Sequence, residues 1–294
     1  MKNNLKVVTY HGACLDGSSA AAVFKMAHPD ARFFPVKSSV HTDIKDEVLD
    51  LLGDNKQVEV YVLDNPWFVR DFAKTGAAVT VLDHHMGEYN NLSAIAKEYD
   101  NVRYVFDNEK SGASLTWSYL FPDKKMPKFI WHIEDGDLYR YEDKTKSKLI
   151  ESYAAIYLDD LDKFIEFINA DLDDLYKKAQ PVLDYQNMLI DYYLRNASAL
   201  HFNVSGYKIK AYNVASIRPI VSDFGNAMSE KVKEPVLMFK VFGNTVNLSF
   251  RSASESFKPY PVDLAQACGG NGHKLAAGAA MPLQEFLERL EEAE

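Results

Sequence analysis

The chain has 294 residues, 47% of them hydrophobic and 26% charged, a balance that fits two globular domains and excludes a disordered polymer. Its formal charge of −9 argues against a protein that tracks long nucleic acid, which needs a basic stripe to displace counterions from phosphates. No run approaches the roughly 20 apolar residues that span a bilayer, Met1-Lys2-Asn3-Asn4 leads into a strand pattern without a signal-peptide core, and two cysteines make no disulfide framework, so a cytosolic protein with free thiols is expected.

Strand-like and helix-like segments alternate over the first 150 residues: 6–10 then 18–26, 32–36 then 43–52, 58–63 then 69–74, and 78–82. This alternation predicts an α/β domain over 1–150 with a parallel sheet and helices on both faces. The strands end just before His11, Asp64 and Asp83, which gathers three candidate sites at one sheet edge. In open α/β sheets the crevice beyond the strands' carboxyl ends is where ligands bind. Residues 151–198 carry ten Asp or Glu against four Lys or Arg, and Leu158, Leu161, Phe164, Ile165 and Ile168 recur at helical spacing. The segment 151–199 therefore reads as a helical linker covering the first domain, with Pro181 opening a new helix and its aromatics in the core. From 200 to 294 strand patterns return at 208–213, 236–241 and 245–250, with a helix at 221–231, and acidic and basic residues balance at ten each beyond 198. This smaller α/β domain is the more tolerant of an anionic ligand.

Leu82-Asp83-His84-His85 follows an apolar run and brings a carboxylate and two imidazoles to a strand end, the donor set of a metal site. The loop Tyr10-His11-Gly12-Ala13-Cys14-Leu15-Asp16-Gly17 adds His11, Cys14 and Asp16 as ligand candidates, with glycines that let the turn bend tightly; Asp16 also reads as a helix cap. Asp64 ends Val60-Tyr61-Val62-Leu63 and is either a carboxylate that bridges two ions or a turn former before Asn65-Pro66. Glu134-Asp135-Gly136-Asp137 offers a further carboxylate, and spacing leaves Asp135 and Asp137 both open. Ser111-Gly112-Ala113-Ser114 starts a helix whose hydroxyls and amides hold a phosphate or cap the helix.

Taken in order with Phe250-Arg251-Ser252 and the stretch Gly269-Gly270-Asn271-Gly272-His273 followed by Ala276-Ala277-Gly278, these motifs resemble the DHH phosphoesterase superfamily with its C-terminal DHH-associated domain. The resemblance implies an N-terminal parallel-sheet catalytic domain joined by a helical linker to a smaller substrate-binding domain, with the active site in the cleft between them. It implies two manganese ions, with magnesium or cobalt as substitutes, held by His11, Cys14, Asp16, Asp64, His84 and Asp135. Asp64 would bridge the ions, Asp83 would orient or ligate, and His85 would face the scissile phosphate. Ser111, Arg251, Gly269, Gly270, Gly272 and His273 would bind substrate. Two departures stand out: Cys14 replaces a first-site aspartate and is a softer ligand, and Asn271 replaces a glycine. The implied activity is hydrolysis of short linear 5′-phosphorylated oligonucleotides or dinucleotides, with polyphosphate or adenosine bisphosphate as the alternative substrate and a degenerate phosphate-binding protein as a further reading. Aromatics such as Phe250, Phe257 or Tyr260 would discriminate by stacking a base. Long duplex nucleic acid and membranes are not expected partners, and a homodimer is compatible with the sequence.

Overall fold

The computed structural model describes residues 5–37, 42–53, 58–214 and 218–292, so Met1-Lys2-Asn3-Asn4 lies outside the described residues. The chain divides into two compact units, Met1–Leu183 and Asp184–Glu294.

The first unit alternates β1 (Leu5–His11), α1 (Leu15–Ala27), β2 (Arg32–Val36), α2 (Thr42–Leu52), β3 (Val58–Leu63), α3 (Val69–Lys74), β4 (Ala78–Asp83), α4 (Tyr89–Glu98) and β5 (Val102–Phe106). Five helices follow: α5 (Gly112–Leu120), α6 (Lys128–Asp137), α7 (Lys144–Ala154), α8 (Leu161–Asn169) and α9 (Leu172–Asn196), the last crossing the boundary between the units. Runs rich in valine favour extended backbone, and β1 to β5 pair in parallel in the order β2-β1-β3-β4-β5. Because side chains alternate along a strand, Val8, Tyr10, Leu63 and Leu82 enter one core with α1, α5, α6 and α8. Val7, Val60, Val62, Val79 and Val81 enter the other, against α2, α3 and α4. This strand order reverses its direction of growth between β1 and β3, the switch point at which doubly wound sheets open a crevice.

The segment 151–199 is helical, and much of it covers the first unit. Ala154, Leu161, Phe164, Phe167, Ile168 and Leu175 are buried in the first unit's core, because an amphipathic helix gains more by covering that apolar face than by standing in water. Pro181 does not open a helix but lies inside α9. Its side chain is exposed, so the hydrogen bond it cannot donate is lost on a face that water can solvate.

The second unit contains β6 (Leu200–Val204), β7 (Tyr207–Asn213), α10 (Arg218–Val232), β8 (Val236–Phe242), β9 (Thr245–Arg251), α11 (Pro261–Gln266), β10 (Asn271–Gly272), β11 (Ala276–Pro282), α12 (Leu283–Glu288) and β12 (Leu290–Glu292). Its sheet has the order β10-β11-β9-β8-β7-β6-β12. The parallel pair β7 and β8 is joined through α10, and the other pairs are antiparallel, which makes this a mixed α/β unit with its own core. Phe250 is wholly buried in that core and has no face to offer a base. Among the described residues no helix is long and apolar enough to cross a membrane.

Phe164 on α8 is fully buried, so Phe164→Ala should cost about 3–5 kcal/mol of the first unit's stability. Urea unfolding of the full chain monitored by circular dichroism measures it, and a loss below about 1 kcal/mol would show that α8 is an appendage.

Candidate metal centre

The carboxyl edge of the first sheet collects its chemistry from four places. β1 ends on His11, the turn after β3 carries Asp64, β4 ends on Asp83 with His84 and His85 beyond it, and α6 ends on Asp137. Asp64 is 1% exposed and holds a left-handed backbone with φ of 56°. Its amide donates to the Leu82 carbonyl at 2.9 Å, while the Asn65 side chain donates to Leu63 at 3.0 Å and accepts from Trp67 at 3.1 Å, so the turn is tied on both sides. Around it stand His11 Nδ1 at 3.4 Å from Oδ2 and His84 Nε2 at 3.2 Å from Oδ1. His84 Nε2 is also 3.7 Å from Asp16 and 3.5 Å from Asp137. His85 Nδ1 meets Asp83 Oδ1 at 2.8 Å, and the edge of Trp67 packs on His11 with ring centroids 5.4 Å apart.

Asp16 is buried at the start of α1, where its carboxylate accepts the Gly112 amide and, at 2.9 Å, the Ala113 amide. These are the first amides of α5, whose dipole favours a negative charge there. Gly112 is required by space: a Cβ would sit 2.6 Å from Asp64 Cβ and 2.9 Å from Asp16 Oδ2. Ser111 takes the helix-cap place that the sequence left open beside a phosphate contact. It is wholly buried, its hydroxyl accepts the Ser114 amide, and its own amide donates to Glu134 Oε2 at 3.2 Å, so it caps α5. The β1–α1 loop is fastened from far along the chain, since Asp159 Oδ1 accepts the Ala13 amide at 2.8 Å and the Asp159 amide donates to Ser18 Oγ at 3.2 Å.

Three groups of donor atoms form within this cluster, each mutually within 4.8 Å: His11, Cys14 and Asp64; Asp64, His84 and His85; and Asp16, His84 and Asp137. Imidazole, thiol and carboxylate donors suit a first-row divalent cation. His11 Nδ1, Asp64 Oδ2 and Asp137 Oδ2 are buried atoms without a hydrogen bond, and such lone pairs are what a cation satisfies. The residues therefore fit a divalent metal. Burial would raise Asp64, yet the His11 and His84 imidazoles beside it outweigh burial and hold its carboxyl below the usual range. Burial, then the charges of Asp64 and Asp137, push Asp16 well up. For His84 burial works downward, but Asp64, Asp137 and Asp16 overcome it and bring the ring to about 10. Burial raises Asp137. His85 also titrates upward, with the Asp83 hydrogen bond and the Asp64 charge outweighing burial.

Asp135 lies apart from this cluster. Its carboxylate accepts the amides of Glu142 at 2.7 Å and Asp143 at 3.4 Å and the Ser147 hydroxyl at 2.6 Å. Ser147 in turn meets His132 at 3.0 Å, and His132 meets Tyr176 at 2.7 Å, a buried chain that binds α6, α7 and α9 together. Asp137, two residues on, is the carboxylate that faces His84, because α6 ends there and its last turn aims at the sheet edge. Sequence reasoning misses both Asp159 and Trp67; the one signal for Trp67 is its place after Asn65-Pro66 beyond a strand, and Asp159 has none.

In the second unit Arg251 pairs with Ala276 across β9 and β11, and Gly272 pairs with Ala277 across β10 and β11, which places Arg251, Gly272 and His273 at one end of adjacent strands. The Arg251 guanidinium donates to Phe250 O at 2.8 Å and Ser222 Oγ at 3.0 Å. Gly270 packs so that a Cβ would fall 2.0 Å from Gly278 O, and Gly269 has φ of 74°, so both are glycine for the path of the chain. Tyr260 is half-buried beneath the ammonium of Lys258, with that of Lys274 at 4.9 Å from its ring centre.

No family model matches the chain. It is 25% identical to an uncharacterized protein, R106, of Acanthamoeba polyphaga mimivirus, over 95% of this chain and 68% of that protein. Among solved structures it is similar to RecJ of Thermus thermophilus in complex with Mn2+, with a TM-score of 0.55 and 14% identity over 97% of this chain and 51% of RecJ. It is also similar to PggH of Vibrio cholerae, a pGpG-specific phosphodiesterase, with a TM-score of 0.53 and 12% identity over 97% of this chain and 95% of PggH. Likeness at this level shows a shared fold.

Protons held by Asp16, Asp137 and His84 compete with a cation, so metal binding should release protons and tighten as pH rises; calorimetry in buffers of different ionisation enthalpy measures this, and proton uptake would contradict it. Asp137→Asn should weaken metal binding with a melting temperature close to wild type. Asp135→Asn should instead cost about 1–3 kcal/mol of stability by leaving buried donors unmatched. The reverse pattern would exchange their roles.

Proposed function

We infer that this chain, which resembles the DHH phosphoesterases in its motifs and shares the fold of RecJ and PggH, is a metal-dependent hydrolase of phosphoesters. The observation that carries the reading is the cluster of buried Asp16, Asp64 and His84 with half-buried His11, Cys14 and Asp137, with atoms that no protein donor satisfies, at the switch point of a parallel sheet. His11, Cys14 and Asp64 would hold one divalent cation, and Asp16, Asp64, His84 and Asp137 a second, with manganese the ion expected to support turnover. Bound there, such ions polarise phosphoryl oxygens and lower the pKa of water.

The chain's own residues supply the rest. Asp83 meets the His85 ring at Nδ1, which would set its tautomer and leave the other ring nitrogen for the phosphoryl group or leaving oxygen. A raised His85 pKa suits donation of a proton or hydrogen bond to oxygen as the bond from phosphorus to the leaving hydroxyl breaks. Water would attack phosphorus in line with that bond, and the proton it sheds would pass to solvent or back to the His85 ring that gave its own to the leaving oxygen. The second unit, through Arg251 and His273, would bind the substrate's terminal phosphate, for which a planar guanidinium is well shaped.

Short linear 5′-phosphorylated oligonucleotides or dinucleotides are the proposed substrates. Net charge of −9 disfavours long polymers, and in the second unit Tyr260 has the ammoniums of Lys258 and Lys274 over its ring, the latter paired with Glu255 at 2.6 Å. The test is phosphate or nucleotide release by metal-stripped protein restored with manganese, alone and together with cobalt(II), run in parallel on a 5′-phosphorylated dinucleotide, adenosine bisphosphate and polyphosphate. Dinucleotide cleavage is expected, and Asp64→Asn should lose several kcal/mol of transition-state stabilisation, about a thousandfold in rate. Preference for polyphosphate would replace the substrate, and wild type indistinguishable from Asp64→Asn on all three would overturn the activity.

A further inference from the structure

Cys14 differs in chemistry from every other donor in the cluster. It precedes α1 in an extended conformation with φ of −120° and ψ of 142°, its carbonyl accepts the Ser18 amide at 3.0 Å, and its thiol forms no disulfide. Its sulfur lies within 4.8 Å of donor atoms of His11 and Asp64. Two further observations at the same spot point to a ligand. Asp64 is 1% exposed and its Oδ2 has no hydrogen bond, and His11 Nδ1, 3.4 Å from that oxygen, is a buried atom in the same condition.

The other side of the cluster is made differently. Asp16, His84 and Asp137 offer only oxygen and imidazole nitrogen, and Asp16 is held on the first amides of α5, so it does not swing toward Cys14. Asp64 alone faces both sides, with Oδ2 toward His11 and Oδ1 toward His84. Soft sulfur donors favour zinc, iron and cobalt, whereas carboxylates suit manganese and magnesium, and manganese is the weakest competitor of the first-row series at a nitrogen and sulfur site.

We propose that the two sides select different ions: His11, Cys14 and Asp64 take a thiophilic divalent cation such as zinc, cobalt(II) or iron(II), and Asp16, His84 and Asp137 take a harder one such as manganese. The centre is thus hetero-bimetallic, with Asp64 shared. This rests on reading the cluster as a metal centre and is independent of which phosphoester, if any, is cleaved.

Cobalt(II) reports its ligands by absorption, so the test is titration of the metal-stripped full chain with cobalt(II) under reducing, oxygen-free conditions. An intense near-ultraviolet sulfur-to-cobalt charge-transfer band should grow to saturation at one equivalent. It should persist when manganese is added, collapse on stoichiometric zinc, and be lost in Cys14→Ser while Cys268→Ser keeps it. Cobalt that binds with only the weak visible bands of oxygen and nitrogen ligation overturns the thiolate site and leaves the metal centre standing. No cobalt binding at all overturns both. If Cys14→Ser does not fold, as circular dichroism shows, the wild-type band and its survival in Cys268→Ser decide the matter.

Discussion

A single aspartate in a left-handed backbone organises the first unit. Asp64 follows β3 with φ of 56°, a conformation that costs a residue with a side chain about 1–3 kcal/mol and persists only when its surroundings impose it. They do so here through the Leu82 carbonyl, the Asn65 turn and the absence of a side chain at Gly112. An ordinary extended continuation of β3 would carry the carboxylate past His11 and His84 instead of between them. The strain is local, and the geometry it secures is the shared edge of both donor groups.

A second constraint is like charge. Asp16, Asp64, Asp83 and Asp137 gather at one sheet edge, and like charges held this close repel unless each has a partner. The fold answers with different partners: helix amides for Asp16, two imidazoles for Asp64, and His85 for Asp83. Asp137 keeps His84 and remains the most solvent-exposed of the four, with 28% of its side chain accessible. Giving each carboxyl group a distinct partner leaves Asp64 Oδ2 and Asp137 Oδ2 without a hydrogen bond, which is the arrangement a cation suits.

Most of this was legible in the chain. Valine-rich runs alternating with helical periods announced the parallel sheet, and the positions where β1, β3 and β4 stop announced that His11, Asp64, Asp83 and His84 would meet. Local pattern could not tell Asp135 from Asp137, because both lie in the last turn of α6 and the decision belongs to the packing of α6 and α7 around Ser147. Ser111 carried the composition of an anion-binding turn, but Asp16 and Glu134, distant in sequence, take up the donors first. Pro181 reads locally as a helix start; tertiary packing of α9 overrode it where the missing donor faces solvent. Phe250 sat inside a motif and looked like a base-stacking candidate, yet strand alternation turns it into the core.

The grip of Asp159 on the β1–α1 loop spans 146 residues between Ala13 and Asp159, and 141 between Ser18 and Asp159. A nascent chain pairs β1 to β5 long before that partner is synthesised, and loop contacts of such separation form late because the intervening chain must be ordered first. Every donor of the cluster, from His11 to Asp137, thus precedes in the chain the residue that fastens the loop carrying Cys14 and Asp16.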